Sequence, residues 1–228
     1  MLVVETLEPV LGEFRDLLHA GLGDIDPAMG TFGLTHEVLR AGTDTYVEIC
    51  APIEPDGETA ANRFLRRGGP GGYMAVIEIP DAAALRSRIQ DLGLAMPMAQ
   101  SHGGNELTQL HPRDFGTLLE ADEIRSGADW HYPALEREPS SDAMKGLVAV
   151  DVAVNDPGAI AVRWLDVFDA RAVDAPTTTI ELAGGGVVRF VSNQAGRDGV
   201  VAMDLAAVER SVAGTSIELG GITVRLVD

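Results

Sequence analysis

The sequence predicts an α+β fold of two tandem domains, and three observations carry that expectation. Short apolar strand runs alternate with amphipathic stretches in one order, strand, helix, strand, strand. That order returns four times along the chain, and a stretch rich in Ser, Pro, Asp and Glu separates the first two repeats from the last two. With 46% hydrophobic residues in 228, each half can bury a core.

The first repeat opens with a strand at residues 2–4. A helix follows over 9–20, where Val10, Leu11, Phe14, Leu17 and Leu18 recur at helical spacing. Strands at 33–40 and 45–51 flank Ala41-Gly-Thr-Asp44, whose Gly and Asp suit a tight turn. Residues 52–70 read as a loop with one helical turn near 62–67. The second repeat has a strand at 72–79, a helix at 81–92 with Ala84, Leu85, Ile89 and Leu92 on one face, and strands at 105–110 and 116–121. Residues 100–105 read as a flexible loop. The stretch 123–145 reads as a linker whose Trp130-His-Tyr132 acts either as a lid or as a pin to the first domain, with pinning the better reading. The third repeat places strands at 147–154, 177–182 and 186–191 around a helix at 157–167. A shorter fourth places strands at 199–205, 215–219 and 222–227 around a helix at 206–212. The expected domains are thus 1–122 and 146–228.

Charge narrows the partners. A formal charge of −18, with Lys145 the single lysine, argues against nucleic acid and anionic membrane, both of which need clustered cations. Cys50 is alone, so an intrachain disulfide and a CxxC metal site are excluded and a reducing, cytoplasmic setting is expected. No apolar run approaches the ~20 residues of a spanning helix, and the N-terminus lacks the basic stretch of a signal peptide.

Two carboxylates stand out. Glu48 in Thr45-Tyr-Val-Glu-Ile-Cys50 and Glu120 in Phe115-Gly-Thr-Leu-Leu-Glu-Ala-Asp122 each interrupt an apolar strand run. Such a group binds a metal, pairs with a cation, or takes a raised pKa that suits a general base. Arg40 on the neighbouring strand is the expected partner of Glu48. Strand alternation puts Tyr46 and Cys50 on the same face as Glu48. His36, one strand over, is either a pocket acid or base or an exposed strand histidine. Cys50 reads as a small buried core residue. His19, His102 and His111 read as a helix-end, a loop-tip and a turn residue. The glycines of Gly68-Gly-Pro-Gly-Gly72 precede a strand and lack the Lys-Ser/Thr of a phosphate loop, which excludes that mode of nucleotide binding.

Segments 2–18, 35–52, 71–92 and 111–122 resemble the vicinal oxygen chelate superfamily of glyoxalase, bleomycin-resistance and extradiol-dioxygenase proteins. Through Thr35-His-Glu-Val-Leu-Arg-Ala-Gly-Thr-Asp-Thr-Tyr-Val-Glu-Ile-Cys-Ala-Pro52 the chain looks most like glyoxalase-like proteins of unassigned substrate. The likeness covers 1–122 and fades over 147–228. It implies paired βαβββ modules forming half-open barrels, with four inward positions that hold a divalent metal. The second position matches Glu48 and the fourth Glu120. The first would fall just before Met1, and the third, usually histidine, is Met74. In the second domain the positions read Ala149, Phe190, Val200 and Arg225, which implies a degenerate copy. The resemblance therefore implies a glyoxalase- or dioxygenase-like protein that binds a small oxygenated organic molecule in its first domain. Glu48 and Glu120 would be metal ligands or bases, and His36, Arg40, Tyr46, Met74 and Gln109 would line the pocket. The cofactor would be a divalent ion (Mn, Fe, Ni, Zn or Mg) in an incomplete site, and the assembly a monomer or homodimer. The alternatives are a metal-free small-molecule binder of the resistance type and a non-catalytic scaffold.

Overall fold

The computed structural model describes residues 1–125, 132, 135, 141–194 and 196–228. The first repeat comprises β1 (Leu2–Val3), α1 (Val10–Leu18), β2 (Leu34–Arg40) and β3 (Tyr46–Pro52), and is followed by α2 (Ala60–Gly68) and β4 (Gly71–Gly72). The second comprises β5 (Met74–Glu78), α3 (Ala82–Asp91), β6 (Met98–His102), β7 (Asn105–Leu110), α4 (Pro112–Phe115) and β8 (Leu118–Glu123). The third comprises β9 (Met144–Val154), α5 (Pro157–Val167), β10 (Ala170–Ala172), β11 (Thr179–Leu182) and β12 (Val187–Ser192). The fourth comprises β13 (Gly199–Ala207), β14 (Ser216–Leu219) and β15 (Ile222–Val227).

Local chemistry accounts for the helix starts. Asp81 and Asp156 cap α3 and α5 by accepting the amides of Ala84 and Ala159, Pro157 opens α5, and Thr59 with Asn62 forms a capping box at α2. Several elements depart from expectation, among them α4, β6, β10 and the full length of α2. Residues 100–105 are a hairpin rather than a loop, because Gly103 (φ 57) and Gly104 (φ 89) both take the positive φ of a two-residue turn, pairing His102 with Asn105. The helix expected at 206–212 shrinks to a 3-10 turn, Arg210–Val212, because Ala206 is drawn into the β13 ladder opposite Val227. Ladder pairing there outweighs the helix propensity of alanine. A 3-10 helix, Pro27–Phe32, lies where no element was expected.

The repeats share a topology. In the first, second and fourth the last strand lies parallel to the first, as β1 with β3, β5 with β8 and β13 with β15. In the second repeat the strand order is β5-β8-β7-β6, and in the third it is β9-β12-β11-β10. These are complete βαβββ modules. The first module replaces its second strand with a single antiparallel bridge, Asp24 to Val38. The fold is α+β, built from paired modules as expected.

Compactness divides the chain differently from the linker. Unit 1 gathers Met1–Tyr73, Tyr132–Val150 and Val201–Asp228, and unit 2 gathers Met74–His131 and Asp151–Val200. The boundaries 1–122 and 146–228 follow composition, whereas packing joins the first repeat to the fourth and the second to the third. The cause lies in which apolar faces match. In unit 1, Leu11, Phe14 and Leu18 of α1 share one core with Leu39, Ile49, Leu205, Leu219 and Val224. In unit 2, Trp164 of α5 packs on Phe115 of α4 with ring centroids 6.2 Å apart, and its indole N–H donates to the Phe115 carbonyl at 3.1 Å. Gly116 (φ 79) permits that approach: a Cβ there would lie 2.4 Å from Val154 Cγ1. Among the described residues no helix is long and apolar enough to cross a membrane.

Candidate functional site

The β2–β3 hairpin of unit 1 carries the most developed polar cluster. Its register pairs His36 with Cys50, Val38 with Glu48 and Arg40 with Tyr46, so these six side chains share one sheet face. The opposite face gives Leu39, Val47 and Ile49 to the core. Glu48 thus has diagonal neighbours on either side, His36 and Arg40, and it pairs with His36. His36 Nδ1 lies 2.7 Å from Glu48 Oε1, with side-chain exposures of 4% and 13%. The Cys50 thiol donates to the same oxygen at 3.3 Å. On the far edge of the ring, His36 Nε2 accepts the Asp26 backbone N–H at 2.8 Å.

Arg40, the expected partner of Glu48, turns elsewhere. Its guanidinium donates to the carbonyls of Thr43 (3.3 Å) and Leu135 (2.5 Å) and lies 5.8 Å from the Tyr46 ring centroid. Tyr132 rests on Tyr46 at 5.1 Å, so the aromatic pinning expected of this stretch is seen at Tyr132. Trp130 and His131 lie outside the described residues. The Cys50 end of the face is closed by Val3, Leu34 and Ala61 with Phe64 and Tyr73. Aromatic side chains therefore stand at both ends of the face, and Glu48 lies between them.

The two partners tune each other. Burial opposes ionisation of Glu48, but the hydrogen bonds and charge around it prevail and hold its pKa below the usual carboxylate value. Burial likewise opposes the imidazolium of His36, and the Glu48 carboxylate together with the Asp26 charge outweighs it, so His36 is raised. Taking a second proton at Nε2 would cost the Asp26 hydrogen bond. The neutral ring with its proton on Nδ1 satisfies all three contacts. Burial and Glu48 together push the Cys50 thiol far up, so it acts as a donor and not a thiolate.

Glu120, Gln109 and Met74 belong to unit 2. Gln109 faces Glu120 across β7 and β8 and donates its amide at 2.8 Å. Met74 is 8% exposed and begins β5, beside Leu118. Asp122, two residues beyond Glu120 on the same face, lies opposite Glu78, and burial together with the charges of Glu120 and Glu78 pushes its pKa up to about 8. The Glu120-Ala-Asp122 alternation was a sequence signal for it. The third and fourth repeats carry ion pairs between first and last strands: Arg189 with Asp151, and Arg225 with Asp204, each at 2.5 Å.

Among the described residues, the donors of His36, Glu48 and Cys50 lie within 4.8 Å of one another, close enough to surround a metal ion. Distance alone therefore admits a metal. The hydrogen bonding of His36 does not, because Nδ1, the nitrogen nearest Glu48, carries the proton and the lone pair on Nε2 is taken by Asp26.

No family model and no curated protein sequence matches the chain. Solved structures do. A hypothetical protein from Staphylococcus aureus aligns over 99% of this chain and 96% of its own, with TM-score 0.69 and 12% identity. A mutant of 4-hydroxymandelate synthase from Streptomyces coelicolor aligns over 92% of this chain and 70% of its own, with TM-score 0.68 and 18% identity. Methylmalonyl-CoA epimerase from Mycobacterium tuberculosis covers 55% of this chain and 85% of its own, with TM-score 0.47 and 21% identity. At these identities the likeness to the first two establishes the fold alone, which this chain shares with them along most of its length.

Proposed function

We propose that this protein binds a small oxygenated organic molecule on the unit 1 face that carries Glu48, and that the Glu48 carboxylate accepts a hydrogen bond from a hydroxyl or similar donor of that molecule. One observation carries the reading: Glu48 is a nearly buried carboxylate held ionised and fixed in direction by His36 and Cys50. An oriented anion with low exposure forms charge-assisted hydrogen bonds worth more than those of a mobile surface carboxylate. Its depressed pKa makes it a weak base, so binding is favoured over proton abstraction as its primary role. The vicinal oxygen chelate fold is consistent with a small-molecule site. In unit 2, Glu120 held by Gln109 offers a second, less enclosed acceptor.

The test is a thermal-shift screen with phenols, catechols and hydroxy- or keto-acids, followed by affinities for wild type and Glu48→Gln. A ligand that prefers the folded state raises the melting temperature. The expected loss in Glu48→Gln is roughly 10- to 100-fold, the worth of one hydrogen bond to a charged group. Equal affinity in both proteins, or no stabilising compound, would sink the reading.

A further inference from the structure

We infer that the Asp26 backbone amide is what keeps a zinc-type metal out of the His36–Glu48–Cys50 group, and that removing this one N–H converts the group into a metal site. The inference involves the same side chains as the proposed ligand site but is read by metal uptake, so either can fail alone.

Imidazole, carboxylate and thiol within 4.8 Å form a donor set suited to zinc, cobalt or ferrous iron. A neutral imidazole has one lone pair to give. A metal between Glu48 and Cys50 would need that pair on Nδ1, with the ring proton on Nε2 donated outward to an acceptor, which is the usual arrangement of a ligating histidine. Here the outward neighbour is a donor. The Asp26 N–H sits 2.8 Å from Nε2, and two N–H groups cannot face each other at that separation. The proton is therefore confined to Nδ1, where it serves Glu48 at 2.7 Å. His36 acts as a positioning residue for Glu48.

The amide is anchored on both sides. Asp24 exchanges backbone hydrogen bonds of 3.0 and 2.9 Å with Val38, and Asp26 caps the 3-10 helix by accepting the Ala28 amide at 2.8 Å. The imidazole therefore meets a fixed donor. In Asp26→Pro that donor is gone, since proline has no N–H, and the backbone there already has φ −92, near the proline range. Metal binding would then shift the imidazole proton from Nδ1 to Nε2, and the Cys50 proton would pass to solvent.

Wild type, Asp26→Ala and Asp26→Pro are titrated with Co(II) while thiolate-to-cobalt absorption is recorded. Asp26→Ala keeps the amide and loses the cap and the carboxylate charge near His36, both of which Asp26→Pro also loses. The expected result is no thiolate band in wild type or Asp26→Ala, and stoichiometric uptake with the band in Asp26→Pro, abolished by adding Cys50→Ser. A band in wild type, or a folded Asp26→Pro that takes no metal, overturns the inference. Should Asp26→Pro fail to fold, long-range proton–nitrogen NMR spectra of wild type in mildly alkaline solution decide: His36 must carry its proton on Nδ1, and an Nε2–H ring overturns the inference.

Discussion

The last strand of the first repeat and the last strand of the second each bury a carboxylate, and the two are held in opposite charge states. Glu48 on β3 is kept ionised, whereas Asp122 on β8 is kept protonated to about pH 8. Both lose water. The difference is the neighbours: Glu48 has an imidazole N–H and a thiol on one oxygen, while the charges around Asp122 are Glu120 and Glu78. On equivalent strands of repeated modules burial pushes both carboxyls up, and partner chemistry decides whether that push prevails.

Removing His36 should break the comparison most severely. His36→Leu leaves a buried carboxylate without its principal donor, and the expected loss is about 3–5 kcal/mol of stability, read as a lower urea midpoint at unchanged slope. A loss below about 1 kcal/mol would show that Glu48 finds other solvation.

Asp122 should respond in the opposite direction. Its folded pKa stands above the ordinary 3.8, so the folded state binds the extra proton between that value and about 8. By linkage, stability then falls as pH rises through this window. Glu48, depressed below its ordinary 4.5, contributes stability that is lost only as pH falls beneath that value. Asp122→Asn should flatten the upper slope and raise the melting temperature near pH 8 by at least about 2 °C, the shift that ~1 kcal/mol produces in a chain of this size. Its effect should shrink as pH falls and vanish only below the ordinary value of 3.8. An unchanged slope in a melting series across this window would contradict the assignment.

The smallest effect is expected at Gln109→Leu, which removes one neutral donor from the half-buried Glu120. About 1 kcal/mol or less is expected, measured in the same urea series. A loss as large as that of His36→Leu would place the principal polar centre in unit 2.

Much of the site was legible in the sequence. Alternation alone puts Tyr46, Glu48 and Cys50 on one face, and a hairpin centred on Ala41–Asp44 brings His36 and Arg40 within diagonal reach of Glu48. Which diagonal neighbour pairs was not legible, because it depends on the Leu135 carbonyl, 95 residues along the chain, drawing Arg40 away. The Asp26 amide left no trace in residue types, since every residue but proline offers the same group.

Sequence by itself determined most of the strands and helices and the fourfold recurrence of one module, because apolar periodicity and capping act within a few residues. Tertiary structure alone decided that the first module joins the fourth and the second the third. That choice rests on shape matching between faces such as Leu11, Phe14 and Leu18 with Leu205, Leu219 and Val224 in one core, and Trp164 against Phe115 in the other, and such matching has no expression in local spacing.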